Sequence, residues 1–173
     1  MALENTAIQD KLIETFGENV FRFNEEKDIF SFEVASEMIT AIILFLKNDP
    51  VLRFQFLTDL CAIHYPDNEA DRQFVVVYHM HNWYDNKRIK IKAFINGENP
   101  EIKTISNIFL SSNWMERETY DFYGINFIGH PQLKRILNMD EMISFPMRKE
   151  FPMEDSGRTD KDDRFFGRTT DNY

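Results

Sequence analysis

Residues 74–95 read FVVVYHMHNWYDNKRIKIKAFI. Residues 74–81 predict one strand and residues 88–95 a second, and Tyr84-Asp85-Asn86 supplies the polar turn that connects them. In the second strand, isoleucine and alanine alternate with arginine and lysine. Because successive side chains of a strand point to opposite faces, one face of this strand is expected to meet solvent.

Apolar spacing on both sides of this stretch completes the predicted fold. The remaining elements are a helix at 3–16, a hairpin with strands at 21–23 and 30–34, a helix at 36–47, a strand at 54–64 and a helix at 102–123 that is interrupted near 111–113. From Gly124 onward no strand or helix period persists. We therefore predict an α+β fold over residues 1–123, with helices packed on a mainly antiparallel sheet in the order α-ββ-α-βββ-α, and an extended irregular C-terminal tail over residues 124–173.

Composition excludes several classes of protein. The 173 residues include 20 Lys and Arg against 29 Asp and Glu, and the net charge of −9 argues against general nucleic-acid binding. A single cysteine, Cys61, excludes an intrachain disulfide and an all-cysteine iron–sulfur site, and its mid-strand position predicts a small buried hydrophobe. The longest apolar run, residues 41–46, is far shorter than the roughly 20 residues that span a bilayer, and the start lacks a leader pattern. We expect a soluble protein of a reduced compartment.

Common catalytic and cofactor motifs are absent from the sequence. It has no Gly-x-Gly-x-x-Gly, no Gly-x-x-x-x-Gly-Lys and no Gly-x-Ser-x-Gly. His79 and His81 lie two apart on a predicted strand and share a face, which suits a metal. No third ligand lies nearby in the sequence, so a hydrogen-bonded surface pair is the favoured interpretation.

The densest chemistry lies in residues 116–124, ERETYDFYG. On a helix, Arg117 and Asp121 are four residues apart and can pair. Glu118 shares a face with apolar neighbours, so its carboxylate is expected to be paired, protonated or in contact with a partner's cation, unless that face is solvated. In an enzyme, Glu118, Asp121 and His130 would form an acid/base cluster, with His130 held extended by the proline that follows it.

Two motifs resemble one known family. Residues 116–137, ERETYDFYGINFIGHPQLKRIL, closely resemble the signature of the C-type subunit of respiratory complex I, which is the 30-kDa subunit of NADH-quinone oxidoreductase. Residues 146–152, PMRKEFP, resemble the family's second block, and residues 158–163 and 166–168 are also similar to its tail. These motifs cover the C-terminal third of the chain, and the order of helices and strands agrees over the rest.

The resemblance implies a subunit of the hydrophilic arm that carries no redox centre. FMN and iron–sulfur clusters would belong to partner subunits. The implied partners are the large D-type subunit of complex I, over which the tail wraps beside the quinone site, and the B-type subunit. The implied location is peripheral, on the cytoplasmic side of the bacterial inner membrane.

Within this interpretation the chain has structural and docking residues, and no catalytic, cofactor or metal residues are expected. Salt bridges among four residues are expected to fix the exit angle of the tail: Glu116, Arg117, Glu118 and Asp121. The turn that leaves the helix contains Gly124, Gly129, His130 and Pro131. The residues expected to pair with acids of the neighbour are Arg148, Lys149, Arg158 and Lys161, and those expected to fill its apolar pockets are Phe151, Phe165 and Phe166.

Two alternatives stay open. The first is a stand-alone hydrolase or isomerase that uses Glu118, Asp121 and His130. The second is the homologous subunit of a related membrane-bound hydrogenase.

Overall fold

The computed structural model describes residues 3–27 and 29–151. In chain order the elements are α1 (Asn5–Phe16), β1 (Val20–Glu26), β2 (Ile29–Val34), α2 (Ile39–Asn48), β3 (Phe56–His64), β4 (Phe74–Asn82), β5 (Lys87–Ile95), β6 (Glu101–Lys103), α3 (Ser112–Tyr123) and β7 (Asn126–Ile128). Single 3₁₀ turns occupy Gly17–Asn19, Ser36–Met38 and Ala70–Arg72.

Five strands form the main sheet in the order β1-β2-β5-β4-β3. The pairs β1–β2, β4–β5 and β3–β4 are antiparallel, and β2 pairs with β5 in parallel. The predicted α+β fold with a mainly antiparallel sheet is therefore confirmed, and α2 lies between the strand pairs in sequence as predicted.

One face of the sheet forms the core beneath α1 and α2. Across the strands the register aligns Leu60, Tyr78, Ile91 and Phe32 in one row of that face, and all four side chains are buried. Helices α1 and α2 cover these residues with buried leucine and isoleucine side chains: Ile8, Leu12, Ile39, Ile42, Ile43 and Leu46. Apolar burial on this face is the main source of stability that the fold offers.

The opposite face, called the open face below, contributes no residue to the core. By the register it contains Glu33, Phe56, Asp59, Cys61, Ile63, Val75, Val77, His79, His81, Arg88, Lys90, Lys92 and Phe94. The wet face predicted for β5 is confirmed here, since Lys90 and Lys92 are partly exposed and alternate with the buried Ile89, Ile91 and Ala93.

The prediction that Cys61 is buried is wrong. The residue is exposed on the open face, because Leu60 and Ala62 occupy the neighbouring core positions of β3. An apolar surrounding in sequence does not reveal which side of the strand each residue takes. Partial desolvation of the sulfur still raises the pKa of Cys61 to about 11, and Asp59 adds to this rise.

A second, two-stranded parallel sheet joins β6 to β7. The prediction of a helix from residue 102 is wrong over residues 102–111, since residues 101–103 form β6 and the helix starts only at Ser112. Buried Ile102, Ile105 and Phe109 have helical spacing, which explains the misassignment. β7 lies just beyond the predicted boundary at residue 123 and packs Phe127 into the core, while wrapping of a partner by residues 124–173 stays a prediction.

Across the described part of the chain, no helix has the length and apolarity needed to cross a membrane.

Candidate functional site

Helix α3 packs mainly against β3, the edge strand of the main sheet. It ends at Gly124, whose N–H donates to the Tyr120 carbonyl at 2.8 Å. Gly124 has a φ of 72°, the left-handed conformation that glycine adopts without steric cost. A Cβ at this position would lie 2.5 Å from the Phe145 ring. Glycine is therefore required both by the turn and by the chain segment that returns to it.

Asp121 is the centre of the site. Its carboxylate is fully buried and forms an ion pair with Arg135, whose Nη1 donates to Oδ1 at 2.7 Å. The other carboxylate oxygen accepts three successive backbone N–H groups, from Ile136 at 3.0 Å, Leu137 at 2.7 Å and Asn138 at 3.0 Å. One side chain thus binds four consecutive residues in the segment after the helix.

Opposing effects act on the pKa of Asp121. Burial alone would raise it, but the N–H groups of Asn138 and Leu137, the Arg135 guanidinium and the Ile136 N–H together hold the pKa well below its usual range. The group is therefore a carboxylate whose acceptor positions are occupied. Such a group fixes a backbone and has no free lone pair with which to take a proton from a substrate.

Arg135 also holds this segment, through carbonyl groups further along the chain. Besides Asp121, its guanidinium donates to the carbonyls of Met142 at 2.7 Å and Ser144 at 3.0 Å, and it lies 4.9 Å from the centroid of the Phe145 ring. The motif contains Arg135, but its spacing in the sequence indicates no role for it. The expected pairing of Asp121 with Arg117 is wrong, because Arg135 takes that position.

Arg117 and Arg148 bind carbonyl groups of their own chain. Arg117 donates to the carbonyls of Lys134 at 3.1 Å and Arg135 at 3.3 Å. Arg148 donates from Nε to the Tyr123 carbonyl at 2.7 Å, and its Nη1 lies 3.7 Å from Glu150. These bonds join Lys134 and Arg135 to the middle of α3, and Arg148 to its C-terminal end. Pairing of Arg148 with an acid of a neighbour stays a prediction.

The second buried carboxylate of α3, after Asp121, is Glu116 and not Glu118. The Glu116 side chain is fully buried and accepts hydrogen bonds from the Thr104 hydroxyl and from the Ile105 N–H at 2.8 Å. Burial raises its pKa, and the hydrogen bonds from Thr104 and Ile105 oppose that rise. Glu118 is exposed, so the solvated alternative holds for its carboxylate. The expected salt-bridge cluster of Glu116, Arg117, Glu118 and Asp121 is therefore not formed as predicted.

The geometry around His130 identifies its neutral tautomer. Nδ1 accepts the Gln132 N–H at 3.1 Å, so Nε2 carries the proton and donates to the Asn113 carbonyl at 3.2 Å. The same Nε2 lies 3.9 Å from the Glu116 carboxylate. Burial lowers the pKa of His130, and the cation of Arg117 lowers it further. His130 therefore connects the turn after β7 to the start of α3.

The acid/base cluster proposed for a stand-alone enzyme does not assemble. Among the residues described, no hydrogen bond or ion pair joins any two of Glu118, Asp121 and His130. His79 and His81 do share the open face as predicted, and His81 is 3.1 Å from the Asn86 side-chain oxygen. Residues 3–27 and 29–151 contain no group of three potential ligands arranged for a metal ion.

The segment that this network fastens, residues 135–151 (called the docking loop below), exposes large apolar side chains. Ile143 is 96% exposed and Met139 73%. The other exposed apolar residues of the loop are Leu137, Met147 and Phe151. Of the remaining predicted docking residues, Gly129, Pro131 and Lys149 are exposed, whereas Arg158, Lys161, Phe165 and Phe166 lie outside the described residues.

Comparisons with known proteins identify a family. Residues 32–157 match the family described as respiratory-chain NADH dehydrogenase, 30 Kd subunit. The NADH-quinone oxidoreductase C 2 subunit of Rhizobium meliloti is 38% identical over 143 residues, which cover 82% of this chain and 76% of the relative. The trypsin-resistant fragment (1–134) of Nqo5 superposes with a TM-score of 0.61 at 25% identity, and covers 73% of this chain and 98% of the fragment.

A chain from the membrane-bound sulfane sulfur reductase, an archaeal respiratory membrane complex, superposes with a TM-score of 0.72 at 20% identity. The match covers 86% of this chain and 85% of the other. At that identity it shows a shared fold.

Proposed function

Because this chain belongs to the 30-kDa subunit family of respiratory-chain NADH dehydrogenase, we propose that it is a structural subunit of the peripheral arm of NADH-quinone oxidoreductase. It docks on the D-type subunit, which borders the quinone site, and lies near the B-type subunit. It supports electron transfer from NADH to quinone, coupled to ion translocation, without a redox centre of its own. FMN and the iron–sulfur clusters belong to partner subunits, and the complex places this chain on the cytoplasmic side of the bacterial inner membrane.

The docking loop is the observation that carries the proposal. A long segment without helix or strand is held in one conformation by Asp121 and Arg135, yet it turns Ile143, Met139 and Leu137 to solvent. Exposed apolar side chains on a fixed backbone are typical of a protein interface. Because the backbone is already ordered, a partner would not have to overcome its conformational entropy on binding.

The polar chemistry of the site supports the same proposal. Three polar side chains form hydrogen bonds with backbone groups of this chain: Asp121, Glu116 and His130. Such bonds suit residues that position the backbone around them. These residues therefore shape the docking loop, and the apolar side chains that they present make the contact.

Binding to the D-type subunit tests the proposal directly. We expect Ile143→Asp to weaken binding about tenfold or more, since an anchor in an apolar pocket typically contributes more than about 1 kcal/mol. The matched control is Ile13→Asp in α1, where isoleucine is 44% exposed. The measurement is a titration of the full-length chain with the purified D-type subunit by calorimetry, with urea unfolding to show that both variants keep the wild-type fold.

Equal affinity of Ile143→Asp and wild type for the D-type subunit would contradict the role of the docking loop. Absence of any binding between the wild-type chain and the D-type subunit would contradict the proposed partner.

A further inference from the structure

The open face of the sheet collects positive charge in a chain whose net charge is −9. Arg88, Lys90 and Lys92 alternate along β5, so all three project from this face. Two further cations, Arg22 and Arg72, reach it through ion pairs with Glu33 at 3.1 and 2.7 Å. Among the described residues, the face thus holds five cations against Glu33 and Asp59, and Glu118 of α3 lies near enough to Cys61 to raise the pKa of that thiol.

Within residues 3–27 and 29–151, three of these cations have no ion-pair partner. Glu33 is already paired with Arg22 and Arg72. Within the described ranges, Arg88, Lys90 and Lys92 form no hydrogen bond or ion pair through their side chains. Unpaired cations of this kind are available to the carboxylates of another molecule.

Apolar side chains lie at both ends of this row of cations. Phe56 is 51% exposed at the end near Arg88, and its ring centroid is 6.3 Å from that of Trp83, which is 73% exposed. At the other end, Ile63 is 37% exposed, and by the register it neighbours Val75 and Phe94. A cationic row flanked by exposed aromatic and aliphatic groups has the composition of a protein interface.

We infer that the open face is a second docking surface, which binds an acidic segment of a neighbouring subunit. Carboxylates of that segment pair with Arg88, Lys90 and Lys92, and its apolar side chains contact Phe56, Trp83 and Ile63. The inference rests on the proposed membership of a multi-subunit complex, but it uses a surface separate from the docking loop. Two of the five cations are already paired with Glu33, and the exposed apolar side chains at both ends of the row suit the mixed composition of a protein segment.

Labelling of Cys61 measures whether this surface is accessible. Cys61 is the only cysteine of the chain and is exposed on the open face, in the row that contains Val77 and Lys92. The experiment compares the rate of maleimide labelling of Cys61 in the purified chain and in the purified respiratory complex, at one pH, by intact-mass spectrometry of this subunit. We expect labelling to be at least about tenfold slower in the complex, because proximity of a docked segment removes access to the thiol.

Charge reversal and cross-linking identify the occupant. With Lys90→Glu and Lys92→Glu, Cys61 should be labelled as fast in the complex as in the isolated chain of the same variant. Comparing each variant with its own isolated chain cancels the effect of Lys90 on the pKa of Cys61. The control pair Lys27→Glu with Lys103→Glu, which changes the net charge equally, should keep the slower labelling in the complex. A carbodiimide joins lysine amines to carboxylates, so the wild-type complex should yield cross-links from Lys90 or Lys92 to an acidic segment of another subunit.

Equal labelling in the chain and in an intact complex would overturn the inference and leave the proposed function standing. Cross-links only to a second copy of this chain, or protection that requires lipid, would also overturn it. If the chain does not assemble into the complex at all, both proposals fail.

Discussion

At the scale of the residue, Asp121 shows how one buried carboxylate can shape a long irregular segment. Its carboxylate accepts from the N–H groups of residues 136–138, which in a helix or strand would donate to backbone carbonyls. Its charge is balanced by Arg135, which in turn binds the carbonyls of Met142 and Ser144. The segment is therefore ordered by polar contacts, although it lacks helix and strand.

We predict that Asp121→Asn destabilises the fold by about 3–5 kcal/mol, the range for breaking a buried ion pair by removing one partner. The amide leaves Arg135 buried without a counter-charge and turns a donor toward other donors. Urea unfolding at neutral pH measures the loss, with Asp67→Asn, an exposed turn residue, as the control.

The same variant should change the pH dependence of stability. The folded pKa of Asp121 is held below its unfolded value, so the folded protein binds fewer protons than the unfolded chain in acid. Its contribution is complete above the ordinary Asp pKa of about 3.9 and declines as pH falls toward the lower folded pKa. The stability difference between wild type and Asp121→Asn should therefore shrink below about pH 4, and a difference that stays constant in acid would contradict this account.

At the scale of the element, α3 differs from an ordinary amphipathic helix because part of its inward side is polar. Ser112, Glu116 and Thr119 are buried at helical spacing, and Glu116 binds the turn that contains Thr104 and Ile105. Hydrophobic periodicity locates only apolar faces and therefore misses a buried side made of polar residues. It selects Glu118, which lies among apolar neighbours, as the inward carboxylate. Glu116 supplies the acceptors that the N–H and O–H groups of this turn need, and the Ser112 hydroxyl donates to the Phe109 carbonyl at 2.9 Å.

Glu116 tests the role of this polar side. Glu116→Ala should cost about 2–3 kcal/mol, because the Ile105 N–H and the Thr104 hydroxyl lose their acceptor in a buried place. Glu116→Gln keeps an oxygen for the Ile105 N–H and should cost less. Thermal unfolding of the two variants at neutral pH compares their stabilities. Equal losses of stability in both would show that these hydrogen bonds do not account for the contribution of Glu116 to stability.

The pH dependence separates the charge of Glu116 from its hydrogen bonds. Burial raises its folded pKa, so the folded state holds the proton more tightly and wild-type stability falls as pH rises through that range. Glu116→Gln removes this titration, so its stability relative to wild type should improve between about pH 4 and neutrality. A relative stability that worsens over that interval would contradict the direction of the shift.

Strands are the elements that the sequence predicts best. The alternation of apolar and charged residues in β5 matches the fold because one face of the strand lies against the core and the other faces solvent. The sequence of residues 102–111 has the apolar spacing of a helix, because a short strand and a turn bury Ile102, Ile105 and Phe109 at intervals of three and four residues. The sequence preference of a three-residue strand such as β6 or β7 is too weak to stand out, and only the pairing of the two strands defines them.

At the scale of the whole molecule, α1 and α2 cover one face of a mixed sheet, and the two docking surfaces that we propose lie elsewhere. The docking loop and the open face differ in chemistry, since the first is mainly apolar and the second cationic. Family membership is predictable from the long motif around α3. The partner of Asp121 is not, because Arg135 lies fourteen residues away across a segment without periodicity.

Limited trypsin digestion with and without the D-type subunit tests the central claim, that the C-terminal part of this chain docks on a partner, most directly. In the isolated chain we predict rapid cleavage after Arg158 and Lys161, and at least about tenfold slower cleavage when the D-type subunit is bound, because binding removes the cleavable state. Cleavage after Arg135 should be slow in both samples, since its side chain is held by Asp121, Met142 and Ser144. Resistance of Arg158 and Lys161 in the isolated chain, or cleavage that the D-type subunit does not slow, would contradict the account.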